Sequence, residues 1–256
     1  MPEPSSFPFD HVAAHEHLSR ADKRLGQLIN SVGAFHYKLD ECDSVYESLL
    51  EAIVYQSISG KAAATILERV RALGTGGKCP VPEEMLRLRI QALRDAGLSN
   101  AKALAMKDLA QKTIEGIVPS LEAAEKMSDE ELVERLVSVR GIGAWTVEMF
   151  LIFRLGRPDV LPIHDYGVQK GFALTYGKRH VPKPKYLLAY GERWRPYRTV
   201  ASWYMWRAVE FAGKDARKVK KARPAASKTK PRAKDRPAST KRTAKKRAAR
   251  KTKNRR

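Results

Sequence analysis

The chain has 256 residues, 43% of them hydrophobic, enough to bury a sizeable core in one or two domains and too many for a disordered protein. Its formal charge of +21 is unevenly placed: residues 214–256 hold 21 Lys and Arg against two acids, Asp215 and Asp235, which leaves the first 213 residues nearly neutral. The basic character therefore belongs to a tail and excludes a uniformly basic fold.

Cys42 and Cys79 are too few for a disulfide framework or a four-thiolate cluster and fit reduced thiols in a cytosolic protein. The opening MPEPSSFPFD lacks a basic and then apolar leader, so secretion is not expected. No apolar run nears the roughly 20 residues needed to span a bilayer.

In chain order, Leu18, Leu25, Leu28, Ile29 and Val32 recur at helical spacing and predict a helix over 10–32. A stronger helix covers Val45 to Val54, followed by a break at 55–60 and an alanine-rich helix from Lys61 to Leu73. After the Gly/Pro loop 74–82, helices are expected from Glu83 to Asp95 and from Ser99 or Asn100 to about Thr113. Ser128-Asp129-Glu130-Glu131 reads as a capping box introducing Leu132, Leu136 and Val139. The turn Gly141-Ile142-Gly143 then opens a second apolar helix, the loop 156–165 leads to Asp165, and helix resumes to about Thr175. Two C-terminal helices follow, Pro196 suiting the first turn of the last, which carries Trp203, Tyr204, Trp206 and Phe211. Alternating strand patterns are missing, so the expected class is all-α. Residues 214–256, with little to bury, read as a disordered Lys/Arg-rich tail suited to salt-sensitive attraction to DNA.

A Gly-Ile-Gly turn between helices either permits tight packing or leaves the second helix's first amides free to hold a phosphate. The surrounding string VRGIGAWTVEMFLIFRLGRPDVLPIHDYGV resembles the helix-hairpin-helix and Gly/Pro-Asp signature of the DNA glycosylase superfamily, most closely its 3-methyladenine DNA glycosylase II branch. The likeness extends to AIVYQSISGKAAATI, LRDAGLSNAKALAMKDLA and RWRPYRTVASWYMW, and so covers most of residues 45–212. It implies a two-lobed all-α glycosylase domain over 1–213 with its hairpin at about 132–153; some 40 residues precede the core, too few for the N-terminal β domain of some members.

The resemblance implies that Gly141, Ile142, Gly143 and Ala144 form the phosphate-binding hairpin. Carbonyls of Val137, Val139 and Ile142 would hold a monovalent cation, sodium or potassium, with no other cofactor required. Asp165, by position alone an ordinary helix cap, becomes the catalytic acid; Asp159 is assigned a structural role. Trp145, Trp206, Tyr55, Met149 and Tyr166 would line the base pocket, and Gln56, Ser57 or Ile58 would wedge into the duplex where the flipped nucleotide leaves a gap. Bifunctional members carry a Lys nucleophile where Trp145 stands, and the endonuclease-III-like branch carries four C-terminal cysteines for an iron-sulfur cluster, which this chain lacks. The implied protein is a monomeric, cytoplasmic, monofunctional enzyme of base excision repair that removes alkylated purines from double-stranded DNA. The competing reading is a non-catalytic DNA-binding protein that keeps only hairpin and tail.

Overall fold

The computed structural model describes residues 7–41 and 43–222, and among these every regular element is helical. Thirteen α-helices are described, and they are distributed over two apolar cores. By contact the chain divides into Met1–Ala216 and Arg217–Arg256, and both cores belong to the first unit.

One core is built from α3 (Val45–Tyr55), α4 (Gly60–Arg71), α5 (Pro82–Arg87), α6 (Ile90–Asp95), α7 (Asn100–Ile114), α8 (Leu121–Lys126), α9 (Asp129–Val137) and α10 (Ala144–Phe153). The helix α3 buries Val45, Tyr46, Leu49, Leu50, Ile53 and Val54, a broad stripe that leaves Ser48, Glu51 and Tyr55 on its other side. Serine hydroxyls at Ser44, Ser59, Ser99, Ser120 and Ser128 cap α3, α4, α7, α8 and α9, each accepting an amide of the first turn. Of the expected box at Ser128, the hydroxyl half is present, with the Glu131 amide at 3.1 Å.

The second core joins α1 (His11–Ala21) and α2 (Lys23–Val32) to α11 (Tyr166–Thr175), α12 (Pro184–Gly191) and α13 (Arg198–Ala222). Two expected long helices are in fact pairs. The predicted helix over 10–32 breaks at Asp22, whose extended backbone ends α1 while its carboxylate caps α2. Likewise 83–95 is divided by Leu88 and Arg89, both extended, and the Lys107 ammonium donates to the Leu86 and Leu88 carbonyls at this break. Apolar periodicity passes over both breaks because both halves face the same core.

Two further corrections concern the C-terminus. Pro196 follows a cis peptide bond and precedes α13 rather than sitting in its first turn. The helix α13 also runs on to Ala222, past Gly213, because Lys, Arg and Ala are strong helix formers that need no core to continue a helix already nucleated. The remainder of the predicted tail, 223–256, lies outside the described residues.

Asp159 has the structural role expected of it. Its carboxylate takes the Arg198 guanidinium at 2.8 Å and that of Arg195 at 2.5 Å, fixing the loop before Asp165 to the start of α13. Arg157 ties the same loop to the end of α8 by donating to the carbonyls of Ala124, Glu125 and Met127.

Candidate active site and nucleic-acid interface

Gly141 has φ of +79°, a conformation that glycine adopts without strain, and a Cβ there would come within 3.3 Å of Ala105. The hairpin turn closes through the Ile142 amide, which donates to the Val139 carbonyl at 3.0 Å. From α7, Asp108 accepts the Arg140 amide at 2.7 Å and Lys112 donates to the Ser138 carbonyl. The turn is thus clamped from below by the neighbouring helix.

No side chain caps α10 at Gly143, in contrast with α9 and α11 on either side, and its opening amides face outward with the helix dipole behind them. Of the four hairpin residues read from the sequence, Ile142 differs: its amide is engaged inside the turn and its side chain is buried. The outward amides are those of Gly143 and Ala144, beside Gly141.

Asp165 caps α11, as its position implied, its Oδ1 accepting the Val168 amide at 2.8 Å. The same oxygen accepts the indole N–H of Trp206 at 2.8 Å, and Oδ2 accepts that of Trp145 at 2.8 Å. Two tryptophans from different helices therefore fix both oxygens of one carboxylate. Gly167 makes room for this: a Cβ there would stand 2.7 Å from the Trp206 ring and 3.0 Å from Asp165 Oδ1.

Beside this acid lies a cleft of about 970 Å³ between α3 and α10. Gln56, at the end of α3, donates to the Gly141 carbonyl at 3.0 Å, and Arg154, at the end of α10, reaches back to Glu51, so the two helices run antiparallel. Tyr55, Trp145 and Met149 line the cleft, as read from the sequence, and Phe150 and Phe153 join them. Trp206 stands behind, 5.6 Å from the Phe153 ring and bonded to Asp165. Tyr166 is not among the lining residues; it is 65% exposed and lies under the Lys170 ammonium. Helical spacing from Trp145 (Met149, then Phe153) could have located the extra aromatic wall. Nothing local marks Glu51, Arg154 or the 38–41 segment as neighbours of the same cleft.

The break after α3 is held from inside. The Lys102 ammonium donates to the Val54 and Gln56 carbonyls at 2.8 and 2.6 Å, and burial lowers its pKa. Gln56 is engaged with the hairpin, Ser57 sits at φ +58°, and Ile58 stands 39% exposed. Of the three wedge candidates, Ile58 is the exposed apolar one.

Glu148, one turn beyond Trp145, escaped the sequence reading. Its Oε2 is buried without a hydrogen-bond partner, and burial, reinforced by the charge of Asp165, pushes its pKa up to about 7. A carboxyl whose folded pKa is raised holds its proton more tightly when folded. Its contribution to stability is complete below about pH 4.5 and is lost as pH rises toward 7. Glu148→Gln should therefore match the parent near pH 5 and exceed its stability at pH 8, by about 1–2 kcal/mol after discounting for partial exposure. Thermal melts of both proteins from pH 5 to 8 check this, and parallel curves would refute it.

Residues 50–196 match the family model for the HhH-GPD superfamily of base excision DNA repair proteins. The chain is 37% identical over 200 residues to DNA-3-methyladenine glycosylase 1 of Schizosaccharomyces pombe, covering 78% of this chain and 88% of that protein. Among solved structures it resembles the S. pombe 3-methyladenine DNA glycosylase in complex with abasic DNA, at 37% identity and a TM-score of 0.68, over 76% of this chain and 95% of that one. A DNA-3-methyladenine glycosidase from Bacillus halodurans is similar at 35% identity and a TM-score of 0.71, over 82% and 94%. With the uncapped hairpin, the doubly held carboxylate and the cleft beside it, the chain belongs to the HhH-GPD superfamily of base excision DNA repair proteins.

Proposed function

We propose that this base excision repair glycosylase acts on alkylated purines in double-stranded DNA, flips the damaged nucleotide out, and hydrolyses its N-glycosidic bond without cutting the strand. The observation that carries the reading is Asp165, whose two oxygens accept the Trp145 and Trp206 indoles while Trp145 also walls the adjoining cleft. Departure of the base builds positive charge on the sugar, and a carboxylate fixed by three donors stabilises that charge with little reorganisation. An alkylated purine with a charged ring leaves readily and stacks favourably against electron-rich aromatic walls.

The outward amides of Gly143 and Ala144 would hold a backbone phosphate, and Ile58 would fill the vacated stack. The carbonyls of Val137, Val139 and Ile142 are neutral oxygen donors that suit a monovalent cation; that of Val139, which accepts the Ile142 amide at 3.0 Å, retains a second lone pair. Such an ion would add positive charge against the phosphate.

Trp145 occupies the position where a lysine nucleophile would be needed for strand cleavage, and an indole N–H bonded to Asp165 cannot attack a sugar carbon. Incubation with methylated duplex should release free base, leave an alkali-labile abasic site in an intact strand, and trap no adduct with borohydride. Absence of any released base would refute the substrate reading, and a trapped covalent band would refute monofunctionality.

A further inference from the structure

The cleft between α3 and α10 is aromatic at one end and charged at the other. Near the hairpin it is lined by Tyr55, Gln56, Ser57, Trp145 and Met149. Toward the other end come Ser48, Glu51, Phe153 and Arg154, joined by Lys38 and Asp40 from the segment before α3. Along α3, Glu51 lies four residues before Tyr55, about 6 Å further along the helix axis from the hairpin end.

Both Glu51 oxygens are fixed by the protein. Arg71 reaches Oε1 at 3.0 Å from α4, and Arg154 reaches Oε2 at 2.9 Å from α10. Arg154 is itself anchored by donating to the Glu41 carbonyl. A carboxylate offers about four acceptor sites, so after these two ion pairs each oxygen retains capacity for one more donor. Glu51 is three-quarters buried at its side chain, and it is the carboxylate that α3 presents to the cleft, between Ser48 and Tyr55. Linking three helices would need no contact with the cleft, so its place in the lining calls for a further role.

A purine hangs from the sugar by N9, and its C6 substituent lies on the opposite edge. With the sugar held at Asp165, beside Trp145, the C6 edge is the part that enters the cleft deepest. On adenine that edge carries an N–H donor, whereas on guanine it carries a carbonyl acceptor, as it does on hypoxanthine. We propose that Glu51 is a specificity-determining residue that accepts the exocyclic 6-amino group of an alkylated adenine and disfavours bases presenting a 6-oxo group. The inference rests on the alkylpurine reading and narrows it to adenine adducts that retain the amino group.

The test compares release of 3-methyladenine, 7-methylguanine and hypoxanthine by the full-length protein and its Glu51→Gln variant, with melting temperature and abasic-duplex binding measured alongside. The parent should prefer 3-methyladenine. The variant, which loses the charge and presents an amide N–H₂, should lose about tenfold or more in kcat/KM on 3-methyladenine while its rate on hypoxanthine holds or rises. An equal loss on all three bases, or an unchanged ratio, would overturn the proposal and leave Glu51 a structural ion pair. Should the variant fail to fold, the parent with abasic duplex is titrated with free 3-methyladenine and free hypoxanthine. Tighter binding of the former supports the assignment, and equal binding overturns it. Release of no base by the parent would overturn the alkylpurine reading and the Glu51 role with it, whereas release with an unaltered ratio defeats the Glu51 role alone.

Discussion

Asp165→Asn should abolish most base release, lowering kcat by about a thousandfold or more, while duplex binding stays within a few-fold of the parent. The substitution removes the negative charge that faces the developing cation, and it also reverses a donor. Oδ2 accepts the Trp145 indole at 2.8 Å, so an amide nitrogen there would oppose one N–H to another. Turning the amide over moves the conflict to Oδ1, where the Val168 amide and the Trp206 indole both donate. The hairpin amides lie on a different turn and are untouched, which is why binding should survive. Single-turnover base release together with binding to abasic duplex measures both quantities. Retained base release would remove Asp165 from the chemistry, and equal loss of binding would make it a structural cap.

The largest stability effect is expected at a different acid. Asp22 is buried, and its Oδ1 caps α2 through the Arg24 and Leu25 amides, both at 3.1 Å. Its Oδ2 accepts the Tyr176 and Tyr190 hydroxyls at 2.6 and 3.1 Å and the Trp194 indole at 3.2 Å. Burial and the Asp22 charge raise the pKa of both phenols, which donate to the carboxylate. Asp22→Ala would remove a helix cap and strand two buried donors, Tyr176 and Trp194, with the half-buried Tyr190 beside them. The cost should be about 3–5 kcal/mol, a fall of roughly 10 °C in melting temperature. Thermal and urea unfolding would reveal it, and a loss under about 1 kcal/mol would show that water substitutes for the carboxylate. Base release by the surviving folded fraction should be little changed, because Asp22 touches neither the cleft nor Asp165.

The contrast between these two acids shows what a sequence exposes. Both cap helices, only Asp165 was legible as a cap, and local pattern could not have ranked the two. The partners that make Asp22 a structural hub lie 154 to 172 positions away, and the indoles that hold Asp165 lie 20 and 41 positions away. The helical class, the caps at Ser99 and Ser128, and the glycine turn at Gly141 were legible because hydrogen bonds within a few residues and a period of 3.6 produce them. The breaks at Asp22 and Leu88 were not legible, since core-facing periodicity continues through a bend.

By itself, then, the sequence determined the all-α body, the hairpin, the position of Asp165 at the start of a helix and the tryptophan directly after the hairpin turn. Each is a property of one short stretch and its neighbours along the chain. Only the tertiary structure decided that Trp145 and Trp206 grip the same carboxylate, that Tyr166 turns away from the cleft, and that Gln56 braces the hairpin. It also brought Glu51 and Arg154, 103 positions apart, together at one end of the cleft and buried Glu148 beside Asp165. The physical reason is that charge pairing, desolvation and cavity shape depend on distances across the fold, which α3 and α10 set by packing antiparallel.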